Sequence, residues 1–280
     1  MIESVDLSWF QAVVLGAVEG ITEFIPISSS GHLRIVPSLF GWPDPGAAFT
    51  AVTQLGTVLA LLIFFARDLW RIASAWTRSL WMPAMRGDHD ARMGWYIIIG
   101  TIPVSVLGLV FKDSIESTFR NLALVSVALI VMGVLLYVID RVCEHRRQVE
   151  DVTLTDGIYI GLAQALALIP GVSRSGATIT AGRLLRFDRA AAARFSFLLS
   201  VPAITLSGLY EARHLTDPGG GPSWGPTLLA TVVAFVVGYA SIAWLLRYLV
   251  KHTMLIFAGY RVVLGVLLLL LIATGHLATT

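Results

Sequence analysis

Charge is scarce in this chain. Asp, Glu, Lys and Arg make up 14% of its 280 residues, against about 25% in a soluble domain. Hydrophobic residues make up 56%. That balance excludes an ordinary water-facing globule. Apolar runs close to 20 residues recur, the length that crosses a bilayer, so the chain reads as an all-α polytopic membrane protein. Cysteine is scarcer still. Cys143 stands alone, which excludes an internal disulfide and a thiolate metal cluster, and it reads as a small apolar filler. A strong charge of one sign is also lacking. The net charge of +2 gives no reason to expect nucleic acid, and the arginines fall in short loops, where topology explains them. Met1 to Ser8 carries acids where a signal peptide has a basic region, so no cleavable signal is expected.

What is present is a polar stretch written twice. Gly16 to His32 contains Glu19, Glu23, Pro26, Ser28, Ser29, Ser30 and Gly31; Gly161 to Gly176 contains Gln164, Pro170, Gly171, Ser173, Arg174 and Ser175. At an offset of 145 positions Gly16 meets Gly161, Glu19 meets Gln164, Ser28 meets Ser173, Ser30 meets Ser175 and Gly31 meets Gly176. Duplicated halves with broken polar helices mark a site at a repeat interface inside a bilayer.

Ten helical pieces follow from the apolar pattern, in two sets of five: 9–25, 29–40, 47–66, 92–111 and 119–142, then 156–169, 174–185, 190–211, 226–249 and 254–275. They define one membrane domain over 1–280, with repeat one at 7–142 and repeat two at 155–275. The first two pieces of each set are short and separated by proline, glycine and serine. Backbone freed in this way is tolerated at depth only where protein or water satisfies it. Each pair is therefore expected to form a re-entrant hairpin, leaving six full spans. The arginines agree. Loops 67–92, 141–155, 183–194 and 247–252 then share one face and hold most of the basic residues. The opposite face holds Lys112, Arg120 and Arg213, with Arg34 near it. The bias places the first face in the cytoplasm and both termini outside it. The hairpins then enter from opposite faces, and the repeats are inverted. Segment 67–92, with Trp70, Trp76 and Trp81, reads as a cytoplasmic interfacial stretch. Segment 214–226 reads as an outer turn-rich loop.

Of 18 acids, only Glu19 and Glu23 fall inside an apolar helix, and their spacing puts both on one helical face. Intramembrane acids are costly and mark function. A divalent cation relieves the repulsion of such a pair and clamps phosphate. His32 follows Ser28-Ser29-Ser30-Gly31 at the start of a half-helix, where hydroxyls and free amides attract anions and an imidazole moves protons near neutral pH. Arg174 opens the second half-helix and offers a planar donor fork to phosphate oxygens; a salt bridge to Glu19 or Glu23 is its plainer role. Ser173, Ser175 and Thr178 add hydroxyls. Gln54 and Thr57 are polar groups in the third piece, where bonding to a neighbouring helix is the ordinary role.

The blocks Glu19 to His32 and Pro170 to Gly176 closely resemble the bacterial undecaprenyl-diphosphate phosphatases, also called bacitracin-resistance proteins, and the likeness in length, repeat spacing and helix order covers the whole chain. The resemblance implies a plasma-membrane enzyme that cuts a C55 polyprenyl diphosphate to its monophosphate and so recycles the lipid carrier of cell-wall synthesis. It implies a divalent metal, Mg or Ca, in agreement with the Glu pair. The acid-phosphatase-like lipid phosphatases share Ser-Gly-His and Ser-Arg elements but need a second histidine after Ser-Arg, and none occurs from Gly176 to Phe187.

The expected site lies where the hairpin tips meet, open to the extracytoplasmic side. Glu19 and Glu23 hold metal, Ser28, Ser30, Ser173, Ser175, Thr178 and Gln54 contact substrate, and Arg174 stabilises developing charge. Ser29 is the expected nucleophile with His32 as base. Direct water attack, His32 as nucleophile, and Glu23 as base with Glu19 alone on the metal stay open, as does a homodimer. The rival class is a polyprenyl-phosphate transporter using the same residues; the Ser29/His32 pair favours the enzyme.

Overall fold

The proline-bearing breaks decide where the chain turns. The computed structural model describes residues 7–111, 121–144, 146–212 and 224–278, and the regular elements among them are helices. Helix α1 (Trp9–Phe24) starts at Ser8 in a reciprocal capping box with Gln11. It stops because Ile25, held extended ahead of Pro26, cannot continue the helix. Helix α2 (Ser29–Phe40) follows. The second half repeats this with α7 (Leu154–Ala165), a 3-10 turn at Leu166–Leu168, extended Ile169 ahead of Pro170, and α8 (Arg174–Leu184). Helix α2 has 12 residues and α8 has 11. Twelve residues rise about 18 Å, well short of the roughly 30 Å hydrocarbon core. Both pairs are hairpins, as expected.

Between and after them run α3 (Gly46–Phe64), α4 (Ala66–Trp81), α5 (His89–Val110), α6 (Leu122–Val142), α9 (Arg189–Ala212), α10 (Trp224–Lys251) and α11 (Leu255–Ala273). Five of these, α5, α6, α9, α10 and α11, are long and apolar enough to cross a membrane. The count is six if α3 and α4, bent by 76° at their junction, are taken as one span. The stretch read as interfacial is thus a helix turned nearly crosswise to α3. It buries Ile72 and Ser79 and leaves Trp70 and Trp81 about three-quarters exposed, at 77% and 74%.

Helix packing is reciprocal between the halves. Helix α1 lies on α10 and α7 lies on α5; α3 also packs on α10 and α9 on α5; α6 and α11 pair with each other. Small residues make the close crossings possible. A Cβ on Gly16 would sit 2.4 Å from the Ala230 carbonyl oxygen, and one on its counterpart Gly161 would sit 2.2 Å from that of Gly100. The main core gathers Phe24, Phe65, Phe197, Leu199 and Leu245, with Phe24 and Phe197 edge to face at 5.5 Å.

The basic loops meet at one end, as the arginine pattern predicts. Arg194 pairs with Asp68 at 2.6 Å, and the His89 ring donates to the Glu150 carbonyl at 3.0 Å. Arg147 donates to Asp156 and to the Leu185 carbonyl; the Asp156 bond holds its guanidinium above the usual arginine range, against the opposite effect of burial. Buried Asp140 accepts from Arg183, Arg189 and the Met254 amide. At the other end Arg34 pairs with Asp44 at 2.6 Å. Lys112, Arg120, Arg213, the loop over 214–223 and Met1 to Asp6 lie outside the described residues.

Candidate active site

Each hairpin tip carries the same unusual turn. Ser28 and Ser173 have φ of 80° and 72°, values that non-glycine residues seldom adopt and that cluster at functional sites. Each serine caps its half-helix: Ser28 Oγ accepts from the Gly31 amide and Ser173 Oγ from the Gly176 amide. The remaining first-turn amides of α2 and α8 have no intrahelical partner, a setting that favours negative charge.

The residues after these turns, Ser29 and Arg174, occupy equivalent positions, and both reach Glu23. The Arg174 guanidinium donates to Glu23 Oε1 and the Ser29 hydroxyl donates to Glu23 Oε2. Gln54 Nε2 reaches Oε1 at 3.4 Å. Glu23 is 5% exposed and the Arg174 side chain 17%, so the two hairpins are joined by a largely buried ion pair. The salt bridge and the exposed edge of the guanidinium coexist.

Glu19, one turn earlier on α1, is buried, and neither of its carboxylate oxygens has a hydrogen-bond partner among the described residues. Its repeat counterpart Gln164 is also buried with neither amide atom paired. A buried, unpaired carboxylate is costly unless a cation meets it. The Glu19 and Glu23 carboxylates are hard oxygen donors of the kind Mg²⁺ or Ca²⁺ takes, with water or phosphate completing the shell. No group of three or more His, Cys, Asp or Glu occurs among the described residues, so a cation here would rely on such outside oxygens.

His32 is buried too, but it does not touch Ser29. Its Nδ1 lies 2.7 Å from the Ser28 carbonyl and its Nε2 lies 2.6 Å from the Tyr260 hydroxyl. The spacing of 29 and 32 puts both on one side of α2, yet the imidazole turns back along its own helix toward α11, and the Ser29 hydroxyl turns to Glu23. Ser30 is exposed, with its hydroxyl 3.5 Å from that of Ser28. Ser175 reaches the carbonyls of Glu23 and Ile25 at 3.4 Å and Ser173 Oγ at 3.2 Å, stitching tip to tip. Thr178 is fully buried, bonded to the Arg174 carbonyl and to Ser196 Oγ, so its hydroxyl is occupied beneath the arginine. Thr57 bonds to the Gln54 carbonyl within α3.

The family model of bacitracin resistance protein BacA matches residues 12–267. The chain belongs to this family. Among similar BacA-family proteins, the undecaprenyl-diphosphatase of a Nocardioides species is 54% identical over 272 residues, covering 97% of this chain and 99% of that one. An undecaprenyl-diphosphatase of a Mycobacterium species is 54% identical over 275 residues, with the same coverages. Undecaprenyl-diphosphatase 2 of Streptomyces avermitilis is 49% identical over 284 residues, covering 97% of each.

Two residues of this BacA-family site were absent from the sequence reading, and both come from α11. Tyr260 holds His32. Arg261, fully buried, donates to the Pro26 carbonyl at 3.0 Å and to the Gly171 and Val172 carbonyls at 2.8 Å. Pro26 and Gly171 are equivalent positions in the two tips, so one guanidinium satisfies the freed backbone of both breaks. Arg261 has a sequence signal: it is a lone cation in the apolar run 254–275, the criterion that singled out Glu19 and Glu23. Tyr260 has none.

Proposed function

We propose that this BacA-family chain is a phosphoanhydride hydrolase that cuts undecaprenyl diphosphate, a C55 polyprenyl diphosphate, to the monophosphate and inorganic phosphate. The reading places it in the bacterial plasma membrane, with the site open to the extracytoplasmic side and both termini on that side. Supporting it are the names of the half-identical relatives, which span the chain, and the chemistry of the tips. The observation that carries it is the shared Glu23 carboxylate, with a serine hydroxyl on one oxygen and a guanidinium on the other.

In this mechanism Ser29 Oγ attacks the terminal phosphorus while Glu23 takes its proton, and polyprenyl monophosphate leaves. Arg174 and the first-turn amides of α2 and α8 carry the charge that spreads over the transferring oxygens. Water then opens the phosphoserine, Glu23 returns its proton to Ser29, and His32 serves as base. Glu19 and Glu23 would hold Mg²⁺ or Ca²⁺, which when bound supplies positive charge to the diphosphate. Glu23 replaces His32 as the base for Ser29 because the serine proton points at Glu23. The isoprenoid chain remains in lipid between spans.

The reciprocal packing of the halves is the observation that favours a second reading, a carrier of polyprenyl phosphate. Purified protein in detergent, given a polyprenyl diphosphate and Mg²⁺, separates the two. The hydrolase releases inorganic phosphate, and Ser29→Ala abolishes release. Headgroup translocation in vesicles without phosphate release would replace the hydrolase with the carrier.

A further inference from the structure

His32 has two ring nitrogens, and both are engaged. The Ser28 carbonyl at 2.7 Å from Nδ1 can only accept, so Nδ1 carries a hydrogen, and in the neutral ring Nε2 carries the lone pair. The partner of Nε2 at 2.6 Å, the Tyr260 hydroxyl, must then be the donor. The two rings stack, with centroids 5.6 Å apart and planes inclined by 13°. His32 is 6% exposed, whereas Tyr260 is 44% exposed. The phenol is the group seated on Nε2, and it is less buried than the imidazole. Tyr260 is also held in register with the tips, because its neighbour Arg261 is bonded to the backbone of both breaks. Arg261 is a charged neighbour of the imidazole. A base buried this deeply needs a group that connects its lone pair to the attacking water.

We infer that Tyr260 is a catalytic residue of the hydrolytic step: it fixes His32 with its Nε2 lone pair toward the phenol and relays the proton between that nitrogen and water. The inference rests on the phosphoserine reading. In the step, the attacking water gives a proton to Tyr260 Oη as Oη gives its own to Nε2. The water oxygen bonds to phosphorus as the phosphorus–Ser29 Oγ bond breaks, and Ser29 Oγ takes back the proton held by Glu23. Inorganic phosphate leaves. The imidazolium returns its proton to Oη, whose other proton passes to solvent, and both rings end neutral. The phenol is unchanged over the cycle, and no oxidant or further reactant is needed.

Tyr260→Phe keeps the stacked ring and removes only the relay. Expected is a fall in kcat of about 100-fold, the low end of what one positioned proton-transfer group contributes, with KM falling in the same proportion so that kcat/KM stays unchanged within about twofold. Because only the second step slows, rapid mixing should show a burst of polyprenyl monophosphate equal to the enzyme concentration, and ³²P from the terminal phosphate should stay on the protein and be absent in Ser29→Ala. A second variant guards against loss of fold: 3-fluorotyrosine at position 260 keeps the shape and makes the phenol more acidic, so a relay changes kcat severalfold and a packing residue leaves it unmoved. Wild-type turnover in Tyr260→Phe, a slowed variant without a burst, or an unchanged fluorotyrosine rate overturns the inference. Failure of the proposed function reads differently: the unsubstituted protein then releases no phosphate at all.

Discussion

At Glu23 one carboxylate serves two hairpins. It takes a hydroxyl from its own hairpin and a guanidinium from the other, so substitution there acts on chemistry and on assembly together. Glu23→Gln should lower phosphate release by about 10²–10⁴-fold, the range for a lost general base, and should also lower the thermal midpoint, because it leaves Arg174 without a counter-charge. Glu19 predicts the opposite pairing of effects. Its carboxylate is buried without a partner, so Glu19→Gln should raise the thermal midpoint measured in chelator while raising the Mg²⁺ concentration needed for half-maximal activity. A lower midpoint in chelator would show that Glu19 has a protein partner after all. The sequence singled out both acids because an intramembrane charge needs a reason. It pointed to His32 as the partner of Ser29, with Glu23 as the alternative, and the serine hydroxyl bonds to Glu23. Side-chain direction settles the pairing, and spacing carries no information about it.

Among elements, α11 is the brace. Arg261 ties the Pro26, Gly171 and Val172 carbonyls together. Arg261→Met should leave these groups unpaired, at about 1–3 kcal/mol for each buried group, and so lower the thermal midpoint and abolish activity without touching substrate. Arg261→Lys should recover little, because an ammonium lacks the planar fork. The hairpins themselves were legible: Pro26 and Pro170 stop their helices, and serine caps restart them. The brace carried a signal of its own, a lone cation in an apolar run, but it lies outside the repeated blocks, and nothing in the spacing ties it to the tips. The crossings of α1 on α10 and α7 on α5 depend on the missing Cβ atoms of Gly16 and Gly161. Alanine at either position should destabilise the fold, Gly161→Ala at least as much as Gly16→Ala given the closer approach to backbone; thermal unfolding in detergent measures both.

For the whole molecule, the convergence of the basic loops at one end makes orientation testable with the native sequence. Cys143 is free and partly exposed at that end. A membrane-impermeant maleimide should label it in inside-out vesicles and leave it untouched in intact spheroplasts; labelling in spheroplasts would invert the proposed topology. The gross plan was readable from composition because short arginine-bearing loops and long apolar runs report directly on the solvent around each segment. The crosswise setting of α4 was only half readable. Its tryptophans mark an interface, but the 76° bend arises at Phe65, whose buried side chain gives no local sign of a corner.

Ser29 and Arg174 stand at the same place in two copies of one turn. A half-length chain that assembled with an upside-down twin of itself would be obliged to put identical groups there: two alcohols, which could be phosphorylated but not neutralise the incoming anion, or two cations, which could grip it but not be phosphorylated. Joining the copies in a single polypeptide removes that obligation. The attack and charge neutralisation proposed here can then be allotted to different halves of a nearly symmetrical body.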